Sequence, residues 1–276
     1  MSLGYAQKLS YKEDLGGSFG KPEIVEPEVE GVRKAFLLVD LIREASSVVV
    51  FTGAGISTSC GIPDFRGPQG VWTLQKKGLA YDAPANAFAL AKPSLTHLAL
   101  VALQSCGKLS LVVSQNVDNL HLRSGLEATA LAELHGNCFI EQCSTCKAKY
   151  QRAFEIETVG FKKTGRHCTV KGCRGMLRDL VLDWDDALPE DDLEAAEQRA
   201  SSAQLALCLG TSLQVRPANS IPMRTVKAGG KLAIVNLQQT CKDKHADVVL
   251  HAKWPPVPSS NATPCVHSDP GNSNRW

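Results

Sequence analysis

The sequence lacks the long apolar runs that membrane-spanning helices require. No apolar stretch approaches the roughly 20 residues that a bilayer-crossing helix needs, so we expect no membrane segment. Residues 1–21 mix charges, tyrosines and glycines without an apolar core, and we expect no secretory signal peptide there. The net charge is only +2, whereas a protein that holds nucleic acid by charge alone is usually more basic.

Cysteine, in contrast, is not scarce, since the chain has ten. Without a secretory signal, ten cysteines indicate a reducing compartment, where a cysteine cluster binds metal rather than forming disulfides. Cys143-x2-Cys146 and Cys168-x4-Cys173 have the spacing of a metal site, with 21 residues between the pairs. Four thiolates complete the tetrahedral coordination of Zn²⁺, so we predict one structural zinc ion with no open ligand position. His167 could also be a ligand, although four cysteines make it unnecessary.

Short apolar runs alternate with helical patterns along most of the chain. The runs are rich in Val, Ile and Leu, as is typical of strands that are buried on both faces. Strands that alternate with helices indicate a parallel sheet, so we predict an α/β fold with a Rossmann-like, doubly wound sheet and a small zinc-binding insert. The predicted strands are 46–51, 109–113, 205–209, 232–235 and 248–250, and the predicted helices are 31–45, 94–104 and 191–202.

Composition divides the chain into four parts. Residues 1–30 are punctuated by glycine and predict an extended N-terminal segment. Residues 31–138 and 177–252 would form the Rossmann-like domain, with the sheet resuming at 177–182. Residues 139–176 hold the paired cysteines and predict a zinc-binding module. Residues 253–276 are rich in proline and serine, which predicts an atypical, disordered tail.

Glycine, hydroxyl and amide residues follow three of the predicted strands. Glycines at a strand end let the backbone approach a pyrophosphate, and free N–H groups can bind it. The third glycine of the dinucleotide fingerprint is displaced to Gly61, so the first of these loops is by itself equally consistent with a tight turn. Three such strand ends together favour a nucleotide-binding crevice. The residues concerned are Gly53, Ala54, Gly55, Ser57, Thr58, Gly210, Thr211, Ser212, Asn236, Leu237 and Gln238.

The run Asp64-Phe65-Arg66, with Trp72 close behind, is unusually polar and aromatic for a linker. Phe65 could cover a planar ring, and Arg66 could bind a phosphate or carboxylate with two hydrogen bonds. An Asp64–Arg66 contact at the surface with two anchoring aromatics is an equally good explanation of the run.

A polar run, Gln115-Asn116-Val117-Asp118, follows the predicted strand 109–113 directly. Side chains in this position lie in the crevice beyond the carboxyl ends of a parallel sheet. His135 comes shortly afterwards, beside Gly136, and a histidine that titrates near neutral pH can remove a proton from a hydroxyl. We interpret the other histidines in apolar patterns or charged loops as structural or exposed.

These runs together resemble the motifs of the sirtuins, which are NAD-dependent protein-lysine deacylases. The resemblance extends over residues 1 to about 251, and within the family it is greatest to the class IV branch, which contains mammalian sirtuin six and the plant sirtuin-one type. The branch is indicated by residues 67–73, 182–189 and the first ten residues. The family motifs are Gly53-Ala54-Gly55-Ile56-Ser57, Gly61-Ile62-Pro63-Asp64-Phe65-Arg66, Gln115-Asn116-Val117-Asp118, Leu134-His135-Gly136-Asn137, the four cysteines, Gly210-Thr211-Ser212 and Val235-Asn236.

The resemblance implies a reaction in which NAD is consumed as an ADP-ribosyl donor. The glycine loop and the strand ends would hold NAD, with Phe65, Arg66 and Trp72 around the nicotinamide. Asn116 and Asp118 would orient the nicotinamide amide.

In that reaction the acyl-lysine carbonyl oxygen attacks the ribose anomeric carbon and nicotinamide leaves. His135 takes a proton from a ribose hydroxyl, and water then releases lysine and O-acyl-ADP-ribose.

The resemblance also implies an acylated-lysine protein substrate, with histone tails as the expected target, association with chromatin and a location in the nucleus. No pattern in the sequence specifies an oligomeric state. Two alternatives stay open: a catalytically weak or inactive chromatin module that binds NAD or ADP-ribose, and a mono-ADP-ribosyltransferase.

Two positions depart from the sirtuin pattern. Sirtuins usually have glycine after the Gln-Asn-Val-Asp run, whereas this chain has Asn119, one of the few residue types that tolerate a left-handed backbone. After His251 sirtuins continue with a glycine, an aromatic–aliphatic pair over adenine and a final helix. Here Pro255 and Pro256 prevent a normal helix start.

Overall fold

The computed structural model describes residues 3–10, 12, 16–80 and 87–252. The predicted tail, residues 253–276, lies outside this part of the chain. The helices are α1 (Leu3–Lys8), α2 (Glu28–Glu44), α3 (Val71–Lys76), α4 (Ala87–Leu90), α5 (Leu95–Ser105), α6 (Leu120–Arg123), α7 (Glu190–Ser202) and α8 (Pro222–Lys227). The strands are β1 (Val48–Thr52), β2 (Leu109–Ser114), β3 (Leu131–Glu133), β4 (Ile140–Cys143), β5 (Lys149–Gln151), β6 (Lys163–His167), β7 (Met176–Asp179), β8 (Leu205–Leu209), β9 (Lys231–Val235) and β10 (Val248–Leu250).

Six parallel strands form the main sheet, in the order β10-β9-β8-β1-β2-β3. The central strand β1 pairs with both β2 and β8, so that Val50 lies opposite Val112 and Leu207. Chain order reverses between β1 and β8, which creates a crevice at the carboxyl ends of these strands. The prediction of a parallel, doubly wound α/β sheet is therefore confirmed.

Every residue of β1 is buried because helices cover both faces of the sheet. Val49 and Phe51 pack in one apolar cluster with Ala196 of α7, whereas Val48 and Val50 pack on the opposite face. The cluster on that opposite face also includes Leu100 of α5 and Leu41 of α2. Burial on both sides explains why β1 is a continuous apolar run rather than an alternating one.

A separate antiparallel sheet, in the order β5-β4-β7-β6, interrupts the main fold. The prediction that residues 177–182 resume the main sheet is wrong, because β7 pairs with β4 and β6. Leu177 and Asp179 are buried while Arg178 between them is exposed, which is the alternation of a half-covered strand. The insert therefore extends to Asp179, beyond the expected boundary at 176.

One buried carboxylate joins distant parts of this insert. Glu141 is fully buried, and its two oxygens accept hydrogen bonds from Arg152 Nε at 2.5 Å and Arg166 Nε at 2.7 Å. Two charged donors compensate the desolvation of the carboxylate. Arg166 also reaches Glu157, so a chain of charges supports a module with little apolar core.

The N-terminal segment differs from the extended conformation expected of residues 1–30. It contains α1, and α2 already begins at Glu28. The physical reason for α1 is Tyr5, which is buried in an apolar cluster with Ile62 and Val117. Such contacts with distant residues are not visible in local sequence patterning. None of the helices in the described residues is both long and apolar enough to cross a membrane.

Leucines at two depths test the position of the core. Leu232 on β9 is fully buried, whereas the side chain of Leu98 on α5 is in a residue that is 48% exposed. We expect Leu232→Ala to lower the free energy of unfolding by about 2–5 kcal/mol through lost burial and a new cavity. Leu98→Ala should change it by no more than about 0.5 kcal/mol. Urea unfolding followed by fluorescence measures both, and equal losses would contradict this packing.

Candidate active site and metal centre

The crevice is built by backbone segments that meet at the ends of β1 and β8. The Gly55 N–H donates to the Gly210 carbonyl at 2.9 Å. Gly210 has a left-handed φ of 57°, and a Cβ there would lie 2.5 Å from the Ile56 nitrogen. A Cβ at Gly53 would lie 2.7 Å from the Gly210 oxygen. Glycine is therefore required at these positions because the two loops touch through their backbones.

A cavity of about 400 Å³ opens at this crevice. Most of the residues expected to bind the cofactor line it, and they come from four strand ends and the loop before α3. They are Gly53, Ala54, Gly55, Asp64, Phe65, Arg66, Trp72, Gln115, Asn116, Gly210, Thr211, Ser212, Asn236 and Gln238. His135 lies in the same wall.

Four of the predicted site residues do not line the cavity. Thr58 is exposed, and its hydroxyl donates to the Gly55 carbonyl at 3.0 Å, so it supports the turn. Leu237 is partly exposed, and its carbonyl accepts from the Ile24 N–H at 2.7 Å. Ser57 and Asp118 lie one layer behind the cavity wall.

A buried network connects these two residues to the wall. The Ser57 hydroxyl donates to Asp118 Oδ2 at 2.7 Å, and the Leu120 N–H donates to Asp118 Oδ1 at 2.9 Å. Asn116 Nδ2 donates to the Gly53 carbonyl at 3.1 Å and lies 3.5 Å from the Ser57 hydroxyl. Asp118 therefore orients Ser57, and the Asn116 amide is held with its nitrogen toward the glycine loop.

His135 is held by backbone contacts on both sides. Its Nδ1 lies 3.0 Å from the Gln115 carbonyl, which can only accept, so Nδ1 carries the proton and Nε2 has the free lone pair. Burial lowers the pKa of His135, and the Gln115 carbonyl partly offsets this effect. Gly136 has a φ of 80°, and a Cβ there would collide with the Leu180 carbonyl. His135 is therefore a neutral base in a fixed orientation.

Aromatic rings form another side of the cavity. The Phe65 ring lies 4.1 Å from that of Trp72, which lies 4.9 Å from that of Trp184. The Arg66 guanidinium lies 4.9 Å from the Trp72 ring and donates to the Gly16 carbonyl at 2.6 Å. Arg66 is only 7% exposed, and burial lowers its pKa. The alternative of a surface Asp64–Arg66 contact is therefore wrong.

Sequence reasoning missed one wall of the cavity entirely. It is supplied by the N-terminal segment, the segment after β7 and the loop after β8. The Trp184 Nε1 group donates to the Ser10 carbonyl at 2.9 Å, which joins the first two of these segments. The missed lining residues are Tyr5, Leu9, Leu182, Asp183, Trp184, Asp186, Ala187, Leu188, Val215, Arg216 and Pro217.

The four predicted metal ligands lie together at the tip of the insert. The sulfur atoms of Cys143, Cys146, Cys168 and Cys173 all lie within 4.8 Å of one another. Two of these separations are 3.6 Å and 3.5 Å, close to the roughly 3.8 Å expected between thiolates on one tetrahedral Zn²⁺. His167 does not belong to this cluster.

Backbone donors make the cluster suitable for thiolates. The N–H groups of Cys146 and Thr145 each approach Cys143 Sγ at 3.4 Å and lower the pKa of that thiol. The Gly175 N–H donates to Cys173 Sγ at 3.4 Å. Four soft, negatively charged ligands in this arrangement fit one structural zinc ion.

Comparison with known proteins identifies the family. Residues 79–217 match the model of the Sir2 family. The chain is 55% identical to the NAD-dependent protein deacetylase SRT1 of Oryza sativa subsp. indica over 91% of this chain and 52% of that protein. It is 45% identical to the NAD-dependent protein deacetylase Sirt6 of Drosophila melanogaster over 91% of this chain and 80% of that protein.

Solved structures agree with this result. The fold is similar to that of a Sir2–p53 peptide–NAD+ complex, with a TM-score of 0.60, 34% identity and coverage of 78% of this chain and 91% of the other. Sir2Tm bound to a propionylated peptide gives a TM-score of 0.59, 33% identity and coverage of 79% and 92%.

The chain belongs to the Sir2 family, the sirtuins. The prediction from its motifs is confirmed, and the names of its relatives are consistent with the class IV branch. Sirtuins use NAD, and the cysteine cluster could hold one structural zinc ion. The chain spans about half the length of the plant relatives that it matches.

Serine substitution of two cysteines tests the metal centre. Cys146 belongs to the cluster, whereas Cys106 is an exposed cysteine at the end of α5. We expect Cys146→Ser to lower both bound zinc and soluble yield, because structural zinc contributes on the order of 10–16 kcal/mol to the folding of small zinc modules. Cys106→Ser should keep about one zinc per chain. Elemental analysis of both proteins measures this, and a folded parent protein without zinc would contradict the assignment.

Proposed function

We propose that the protein is an NAD-dependent protein-lysine deacylase that releases nicotinamide and O-acyl-ADP-ribose. The observation that carries the proposal is His135, whose Nδ1 is paired with the Gln115 carbonyl at the wall of a cavity that Asn116 also lines. This arrangement leaves a neutral imidazole with one free lone pair beside an amide. A base and a fixed amide are the two groups that the sirtuin reaction requires.

His135 acts as the general base. Because Nδ1 is protonated, Nε2 is the atom that accepts a proton from a ribose hydroxyl, and burial keeps the ring neutral near pH 7. NAD, when bound, supplies an ADP-ribosyl group whose anomeric carbon is the electrophile. The acyl-lysine must reach the same cavity, so substrate and cofactor meet in front of His135.

Asn116 and Asp118 have different roles in this proposal. Asn116 lines the cavity, and its Nδ2 is engaged by the Gly53 carbonyl, which leaves Oδ1 to accept from a carboxamide. Asp118 lies behind the wall and accepts from the Ser57 hydroxyl. We therefore assign contact with nicotinamide to Asn116, and the positioning of Ser57 and Asn116 to Asp118.

Relatives support a protein substrate. Solved sirtuin structures that are 34% and 33% identical to this chain are described with a p53 peptide and with a propionylated peptide. We therefore propose an acylated lysine in a protein as the substrate. Histone tails, association with chromatin and a nuclear location stay predictions of the resemblance.

Replacement of histidine at two positions tests the deacylase function and separates it from the NAD-binding or ADP-ribose-binding alternative. His135→Ala should lower deacylation by about 10²–10⁴-fold, the usual contribution of a positioned base, while NAD still binds. His245→Ala, at an exposed position on a loop, should leave the rate unchanged. Free nicotinamide and deacylated peptide are measured separately with an acyl-lysine peptide.

Asn116→Ala should lower nicotinamide release itself, since it acts on the leaving group. Parent-like deacylation by His135→Ala would reject the proposed mechanism. ADP-ribose transferred to a protein without loss of the acyl group would favour the transferase alternative.

The lowered pKa of His135 predicts a pH profile. The base is active only when neutral, so activity is lost as pH falls through the folded-state pKa. Because burial places this pKa below the ordinary 6.5, the acid limb of kcat/KM should have an apparent pKa below 6.5. Circular dichroism at each pH distinguishes this effect from unfolding. An acid limb centred above 6.5 in a folded protein would contradict the buried, neutral base.

A further inference from the structure

We propose that Asn119 and Asn137, braced by Glu133, form a positioning pair that keeps the segment carrying Asn116 and Asp118 aligned with the segment carrying His135. We call Asn119, Asn137 and Glu133 the asparagine latch. The inference rests on the proposed deacylase function for its effect on turnover. The latch itself is a structural arrangement that can be tested without turnover.

The two segments are already joined along the sheet edge. The Leu134 N–H donates to the Ser114 carbonyl at 3.0 Å, and the Cys138 N–H donates to the Val117 carbonyl at 2.9 Å. Between them, His135 Nδ1 donates to the Gln115 carbonyl. Beyond Val117 the chain turns away into α6, and the connection passes to side chains.

Asn137 supplies that connection with its orientation fully determined. Its Oδ1 accepts from the Phe139 N–H at 2.8 Å. Its Nδ2 donates both to Asn119 Oδ1 at 2.9 Å and to Glu133 Oε1 at 2.8 Å. A flipped amide would place its oxygen against two acceptors, so this arrangement is the one that satisfies all three partners. Asn137 is only 1% exposed, which makes an unpaired amide costly.

Asn119 is placed for this contact by its backbone. Its φ of 64° is left-handed, as asparagine tolerates, and the residue is 3% exposed. It directly follows Asp118, whose Oδ1 accepts from the Leu120 N–H on the other side of Asn119. A change in the position of Asn119 must therefore move Asp118 and, through Ser57, the Asn116 amide.

Glu133 braces the latch from the strand end that precedes His135. Burial raises the pKa of Glu133 to about 8, with the Asn137 amide opposing and Asp192 and Asp118 adding to this effect, whereas Lys149 lowers it. Either protonation state has an oxygen that accepts from Asn137, so the contact does not depend on ionisation.

The test uses Asn119→Gly, Asn137→Ala and the double variant. Glycine adopts the left-handed backbone of residue 119 without strain and removes only the amide. Hydrogen–deuterium exchange of the ligand-free protein, followed by mass spectrometry, should show exchange at residues 136–139 several-fold faster in Asn119→Gly. Exchange in β1 should not change. Parent-like exchange at 136–139 would overturn the latch.

Kinetics on the same proteins test its effect on the reaction. Asn119→Gly should lower kcat for nicotinamide release by about two- to tenfold, as expected for one lost hydrogen bond, with KM for NAD within about twofold. The double variant should be no slower than Asn137→Ala, because both remove the same contact. Independent, multiplicative effects would overturn the positioning role. A parent without acyl-peptide-dependent nicotinamide release would reject the proposed function, while the exchange result would still decide the latch.

Discussion

The site depends on the close approach of two backbone loops, one after β1 and one after β8. The Gly55 N–H reaches the Gly210 carbonyl at 2.9 Å, and no side chain fits between the loops. This contact determines where β1 and β8 separate, and so where a crevice opens in a sheet that is otherwise covered on both faces. Gln115 extends the same contact to β2, since its Nε2 donates to Thr211 Oγ1 at 3.0 Å.

The sequence predicted those features that depend on local patterning. The central strands were predictable because a strand buried on both faces is a continuous apolar run, and polar residues mark its end. Cys143 and Cys146 were recognisable because metal geometry imposes their spacing. The left-handed conformation of Asn119 agrees with the tolerance of its residue type.

Features that depend on long-range contacts were not predictable. Residues 177–182 are a short apolar run that suits either sheet, and only pairing with β4 shows which sheet contains β7. Tyr5 and Trp184 are far apart in sequence, so no local signal indicated that they share one cavity. Ser57 and Thr58 are adjacent hydroxyl residues, but only Ser57 is buried beside Asp118, whereas Thr58 supports the turn.

The insert and the catalytic base are connected by a very short path. The cluster that holds Cys143 lies at one end of the insert's sheet, and β7 continues from that sheet directly into residues 180–182. The Leu182 N–H donates to the His135 carbonyl at 3.1 Å, and the Leu180 carbonyl lies against Gly136. His135 is thus held between the main sheet on one side and the end of the insert on the other. A metal that has no open ligand position and takes no part in the chemistry can therefore still determine the orientation of the base, because loss of the insert's fold would remove one of its two supports.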